Sequence, residues 1–478
     1  MSDRQLLLGI DIGTTSVKVC VVDSETKEVI ASQQKDTQAN VPSDLGTEGN
    51  KQDVPKIISA FTACVSRLPK DLLRQVVRIG ICGQMHGVML WNDDGEESRA
   101  WSRIEREDNT FIRYDIPREK VSALYTWQDS RCEPSFLATL PKPQSHLKTY
   151  TGYGCATLFW MVKNKPSKLE KYNCAGTIQD FVVAMLGNLS KPIMSSQNAA
   201  SWGYFNCTLS DWNNEILSEA DFPVRLLPKV VENGQIVAHL AECWYGIPIG
   251  TPIGVALGDW QCSVLATIEN ISDAILNIST SAQLGFVSEN FQPPSDEEEI
   301  SGDQPTNAVE YLPYFNGKYV IVGASLNGGN CLAAFVKMVQ QWCLDLGFSV
   351  PQSTLWTKLI GLASEDNAVS TLRVTPTLLG ERSKPEQNAS VQNIDLSNLG
   401  LGQMFRALCR SLIENLHKLL PKELLIESNI QRIVGNGSGL SRNKVLQKEV
   451  QDIYQLPLIF TSGGDAARGA ALAVAPEQ

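Results

Sequence analysis

The chain has 478 residues, 43% hydrophobic and 19% charged, the composition of a protein that packs large apolar cores in about two to four domains. Its net charge of -11 argues against binding nucleic acid through the phosphate backbone, which needs clustered Lys and Arg. Twelve cysteines run from Cys20 to Cys409 with no CxxC pair, so neither a zinc site nor a disulfide framework is expected, and the thiols read as reduced core residues of a cytoplasmic protein.

The first apolar run, residues 6–10, is too short for a signal segment, and no later run is long enough to cross a bilayer. It reads as a β-strand that turns through Asp11-Ile12-Gly13-Thr14-Thr15-Ser16 into a second strand at residues 17–22. Backbone N–H groups and hydroxyls at such a tip suit phosphate oxygens, and the carboxylate at its base suits hydrated Mg2+. Taken alone, such a hairpin is more often plain scaffold. A helix follows, with Asp53 as N-cap, Pro55 in its first turn, and Ile57, Ile58, Phe61, Val65 and Leu68 on one face. The strand-like residues 77–82 run into Gly83-Gln84-Met85-His86-Gly87. Its amide, thioether and imidazole suit a sugar, the alternative being a core hairpin with a satisfied histidine. Trp127-Gln128-Asp129-Ser130-Arg131 offers an aromatic and an ion pair to cap a polyol, or a purely structural cluster.

Gly246, Pro248, Gly250, Pro252 and Gly254 mark a hinge-like boundary that divides the chain into residues 1–250 and 251–478. Strands and helices alternate on both sides, predicting an α/β fold of two related halves with a ligand cleft between them. Asp259, in Leu257-Gly258-Asp259-Trp260-Gln261, ends an apolar strand just past that boundary. A Gly-Asp pair is ordinarily a turn or a cap; between two halves it is also placed to take a proton from an alcohol attacking phosphorus. A second polar turn, Asn277-Ile278-Ser279-Thr280-Ser281, lies within the apolar stretch 274–287 and has the look of a second phosphate jaw. Residues 291–306, with Pro293-Pro294 and Asp296-Glu297-Glu298-Glu299, read as a mobile surface loop without chemistry. Towards the end, Arg432-Ile433-Val434 leads into Gly435-Asn436-Gly437-Ser438-Gly439 and a helix, a candidate nucleotide loop. Leu440 stands where a GxGxxG fingerprint needs glycine, which weakens a dinucleotide reading, and no GxxxxGK[ST] loop occurs, which removes the P-loop kinases. Ala466, Ala467, Gly469, Ala470 and Ala471 predict a closely packed helix face.

In this order and spacing, the elements from about Leu6 to Ala473 resemble the FGGY carbohydrate kinase family. The resemblance implies a two-domain actin-like (ribonuclease H-like) ATPase fold with an interdomain cleft. It assigns Gly13, Thr14, Thr15 and Ser16 to the first phosphate motif, with Lys18 at a basic position, and Ser279, Thr280 and Ser281 to the second. Asp11 is then the acid that holds Mg2+, and Asp259 the catalytic base. Asn327, Gly328 and Gly329, with Gly435, Asn436, Gly437 and Ser441, fall at ATP-binding positions. Gln84, Met85 and His86 correspond to the sugar-binding segment, joined on the sugar side by Trp127, Asp129, Asp259 and Trp260. Gly380-Glu381-Arg382 is a further shared landmark. Two departures stand out: Ser279 replaces a glycine, with an expected loss of backbone freedom, and Trp260 stands where related enzymes often carry Asn or Gln, free either to stack on a sugar or to pack. The implied reaction moves the γ-phosphoryl of ATP to the terminal primary hydroxyl of a ketose in the pentose phosphate pathway, sedoheptulose ahead of xylulose or ribulose. ATP and a ketose are the expected partners, with no nucleic acid or membrane, and the sequence leaves the oligomeric state open. An actin-like chaperone or filament subunit would share both hairpins without needing Gln84-Met85-His86, and a dehydrogenase using residues 435–439 would bind a nicotinamide dinucleotide.

Overall fold

The structure, a computed structural model, describes residues 4–43, 45–46, 49–93, 95, 97–105, 107, 111–293, 308–365, 371–461 and 465–476; the acidic run expected to form a mobile loop lies largely outside them. The first lobe is built on β1 (Leu6–Ile12), β2 (Ser16–Asp23), β3 (Val29–Asp36), α1 (Val54–Ser66), β4 (Val76–Gly83), α2 (Ile178–Gly187), β5 (Ile236–His239), β6 (Pro252–Gly254), β7 (Leu257–Gly258) and α3 (Asp259–Thr267). The second is built on β8 (Asp273–Ile278), β9 (Ala282–Ser288), β10 (Val309–Pro313), β11 (Tyr319–Ser325), α4 (Gly329–Asp345), α5 (Gln352–Glu365), α6 (Leu401–Leu419), β12 (Arg432–Asn436), α7 (Lys444–Tyr454) and β13 (Leu458–Phe460).

The two sheets repeat one plan. In the first the order is β5-β6-β4-β1-β2-β3, with β7 also on β4; in the second it is β10-β11-β9-β8-β12-β13. Each has an antiparallel trio (β1-β2-β3 and β8-β9-β11) and then a strand parallel to the trio's first member, β4 on β1 and β12 on β8. The central strand β1 is buried along nearly its whole length, as expected of a strand covered by helices on both faces. On one face of the sheet α1 packs on β2 and β3; it starts where Asp53 accepts the Lys56 N–H (3.1 Å) and buries Ile57, Ile58, Phe61 and Val65. On the other is α8 (Ala466–Ala473), which returns from the far end of the chain to pack on β1 and β4. Its small residues permit the approach: a methyl on Gly9 would sit 1.9 Å from the Ala467 carbonyl oxygen, and one on Gly80 1.8 Å from that of Ala470. Arg468 ties the helix down by donating to the carbonyls of Ala266 (2.6 Å) and Lys27 (3.1 Å).

The expected division at residues 250 and 251 is corrected here. β5 and β6 form an antiparallel hairpin, Gly246 and Gly250 take left-handed turn conformations (φ 103° and 81°), and β6 and β7 both pair with β4. The glycines and prolines therefore punctuate turns inside the first lobe, and the chain leaves that lobe only between α3 and β8. All twelve cysteines are free thiols, most of them buried. Among the described residues no helix is long and apolar enough to cross a membrane.

Candidate active site

A cavity of about 1200 Å³ opens between the lobes, and both polar hairpin turns line it. In the first turn the Gly13 N–H donates to the Ser16 carbonyl (3.1 Å); in the second, that of Ser279 donates to the Ser281 carbonyl (3.0 Å), closing the equivalent hairpin with a loop one residue shorter. Ser279 is absent from the residues with positive φ, so it occupies the glycine position without backbone strain. The Thr14 hydroxyl is already engaged, donating to Gln84 Oε1 (3.3 Å) and accepting from Trp127 Nε1 (2.9 Å), and the Gln52 amide holds the Thr14 carbonyl (2.8 Å). Thr15 is exposed at the tip, where it can meet a ligand.

Pairing of β1, β4 and β7 sets Asp11 beside Cys82 and Gly258 beside Gly83, which brings Asp259, at the start of α3, to the base of the first turn. Burial, and then the nearby carboxylates of Asp259 and Asp465, push Asp11 well above the ordinary carboxylate range, against a partial pull from Lys18. Lys18 itself lies 3.9 Å from Asp465. Three carboxylates with one ammonium make a local deficit of positive charge, the donor chemistry that a divalent cation satisfies. Among the described residues no group of three or more His, Cys, Asp or Glu is set up to hold a metal by itself, so an ion at Asp11 would draw its remaining oxygens from phosphates and water. Asp259 is pushed up to about 6 by burial, opposed by the Trp260 N–H, which it accepts at 2.7 Å.

At the end where the sequence predicts a sugar, Met85, His86, Trp127 and Gln128 line the cavity. His86 sits in a left-handed turn (φ 72°), stacks on Tyr153 with ring centroids 4.4 Å apart, and directs Nδ1 to the Ser201 carbonyl (2.9 Å). That partner makes Nδ1 the donor and Nε2 the acceptor. Burial, helped by Arg382, holds this imidazole neutral by pushing its pKa well below the usual value. Gln84 is buried behind the wall, where its amide donates to Gln52 (3.0 Å) and its carbonyl accepts from Gln179 (3.2 Å). Asp129 and Trp260 do not line the cavity. Asp129 is wholly buried, its two oxygens taken by Arg131 (2.6 and 2.7 Å) and by the Asn50 N–H (2.9 Å). Trp260 is buried against Gly285, where an added methyl would meet its ring at 3.0 Å.

Several positions matched to ATP binding support the second turn from behind. The Gly329 N–H donates to the Ser279 carbonyl (2.9 Å), and a methyl on Gly328 would sit 2.4 Å from Ser281. Gly437 (φ 86°) abuts Ile278 and Gly435 lies against Phe460, while Asn327 is buried and donates to Gly380 O (2.7 Å) and Glu381 (3.0 Å). Neither Asn436 nor the exposed Ser441 lines the cavity. Its wall at this end is formed by Ser438, Gly439, Arg442 and Asn443, with Ala333, Trp356 and Ile360 from α4 and α5. The sequence reading missed Arg442, Trp356 and Ile360; the two apolar ones follow the same stripe as core residues of α5, so only their shared bearing on one cleft distinguishes them.

The profile described as "FGGY family of carbohydrate kinases, N-terminal domain" matches residues 6–100 and 108–266. The chain is 46% identical to the sedoheptulokinases of Mus musculus and Homo sapiens, over 99% of its own length and 98% of theirs. Among solved structures, xylulose kinase from Rhodospirillum rubrum superposes with a TM-score of 0.75 at 17% identity, covering 98% of this chain and 89% of that one, a likeness of fold alone. The actin-like, two-lobed plan and the matched sequence together place the chain in the FGGY family of carbohydrate kinases.

Proposed function

We propose that the protein transfers the γ-phosphoryl of MgATP to the terminal primary hydroxyl of sedoheptulose, giving sedoheptulose 7-phosphate and ADP, in the cytoplasm. The observation that carries this reading is that two phosphate-type turns, one from each lobe, and Asp259 open onto one cavity large enough for a nucleotide and a seven-carbon sugar together. The relatives named sedoheptulokinase, matched along the whole chain, support the choice of acceptor.

The nucleotide's phosphates lie between the turn at Gly13 to Ser16, with Lys18, and the turn at Ser279 to Ser281. Bound through Asp11, hydrated Mg2+ supplies neutralisation of the polyphosphate charge. Met85, His86 and Trp127 orient the ketose. Asp259 accepts the hydroxyl proton as that oxygen bonds to the γ-phosphorus and the bond from phosphorus to the bridging oxygen of ADP breaks. A base near 6 is ionised at neutral pH yet basic enough to take a proton in the transition state. A ketose seated in the cavity displaces water from beside Asp259, which favours the sugar hydroxyl as acceptor.

The test is a panel of sedoheptulose, xylulose, ribulose and polyols with MgATP, scored by ADP release and by the sugar phosphate formed. Preference for a pentulose would replace the acceptor; ATP hydrolysis without any sugar phosphate would overturn the kinase reading.

A further inference from the structure

Glu381 fixes a short segment of the second lobe. Its buried carboxylate accepts from Asn327 Nδ2 (3.0 Å), Asn415 Nδ2 (2.7 Å) and the Leu326 N–H (3.2 Å), and Gly380 beside it takes a left-handed turn (φ 66°). The next side chain, Arg382, is thereby held in the cavity wall. Its charge is poorly matched there. The Glu310 carboxylate lies 3.7 Å away, beyond hydrogen-bond length, and already accepts from the Tyr153 hydroxyl (2.9 Å). Nε of Arg382 is buried without a partner, an arrangement that costs free energy unless something fills the donors. The guanidinium stands 5.6 Å from the Tyr153 ring, whose stacked neighbour is His86. One lobe thus offers N–H donors and the other the Nε2 acceptor of His86.

We propose that Arg382 binds the ketose from the second lobe, donating to hydroxyl or carbonyl oxygens of the part of the sugar that His86 contacts from the first, so that the sugar bridges the lobes. The proposal rests on the kinase reading above. The approach of its guanidinium to Tyr153, on which His86 stacks, puts its contact on the His86 side of the sugar.

The test measures KM separately for sedoheptulose and for MgATP in Arg382→Gln, Arg382→Lys and Glu310→Gln, with melting curves for each. Loss of charge-assisted hydrogen bonds predicts a rise of about ten- to a hundred-fold in the ketose KM of Arg382→Gln, with the MgATP KM within about twofold. Lysine keeps the charge without the planar fork and recovers the sugar KM only in part. An Arg382 that merely pairs with Glu310 predicts that Arg382→Gln and Glu310→Gln lose melting temperature alike with no split between the two KM values, and that result overturns the proposal. If Arg382→Gln does not fold, a wild-type ketose KM in Arg382→Lys overturns it and a raised one supports it. A wild-type enzyme inert toward every ketose sinks the acceptor assignment and this inference together; an active wild type with an unaltered Arg382→Gln sinks this inference alone.

Discussion

Replacing Asp259 with Asn removes a proton acceptor while leaving the shape of the site nearly unchanged. The amide oxygen can still accept the Trp260 N–H now held at 2.7 Å, so the first turn of α3 is retained. Loss of a general base lowers kcat about 100- to 10,000-fold, with both KM values within a few-fold. In the native enzyme the carboxyl titrates near 6, so kcat/KM falls about tenfold per pH unit below that point and is level above it; the residual rate of the variant lacks this limb. Stability moves the other way. The folded pKa is raised above an unfolded value of about 3.9. Below about pH 4 both states are protonated and there is no penalty; from about 4 to 6 the unfolded chain releases a proton that the folded one keeps, so stability falls as pH rises; above about 6 the loss is complete. Two units amount to about 3 kcal/mol at most, reduced because cleft water reaches the partly open side chain. Asp259→Asn is therefore expected to match the native melting temperature at pH 4 and to exceed it at pH 8. Turnover within tenfold of native, or a lower melting temperature at pH 8, would refute the assignment of Asp259 as a buried base.

Trp127→Phe keeps an aromatic side chain, though a smaller one, and removes the N–H held by the Thr14 hydroxyl at 2.9 Å; the MgATP KM should rise about three- to tenfold as the first turn loosens, and an unchanged value would show the bond is idle. Asp129→Asn leaves the buried Arg131 guanidinium uncompensated and should cost about 3–5 kcal/mol in urea unfolding; normal stability with a raised ketose KM would restore Asp129 as a sugar ligand. Gly9→Ala drives a methyl against the Ala467 carbonyl and should destabilise by about 1–3 kcal/mol, whereas native stability would contradict the packing of α8.

Both phosphate turns can be read in the sequence because strand, polar tip and strand form a local pattern, closed by bonds within four residues. The start of α1 at Asp53 is equally local. What cannot be read there is whether a polar side chain is already committed. Asp129 has the look of a ligand, yet its charge is neutralised by a residue two positions on. Gly328 and Gly437 meet close backbone approach from a distant hairpin, and nothing near them in the chain reveals it. The boundary at 250 failed for a related reason: glycine and proline mark a tight hairpin and a domain junction alike. Trp260 fell on the buried side of α3 because the direction of a helical side chain depends on what the helix packs against.

The return of α8 to the first sheet has a consequence for biosynthesis. As the nascent chain leaves the ribosome, β1 and β2 emerge with the flank carrying Leu7, Cys20 and Val22 uncovered, because Ala467 and Ala471, which seal it, are translated only after the entire second lobe. The earlier-made half must wait for the later-made one, so its exposed flank is the natural landing place for a chaperone. A truncation stopping at α3 would leave that sticky surface permanently bare.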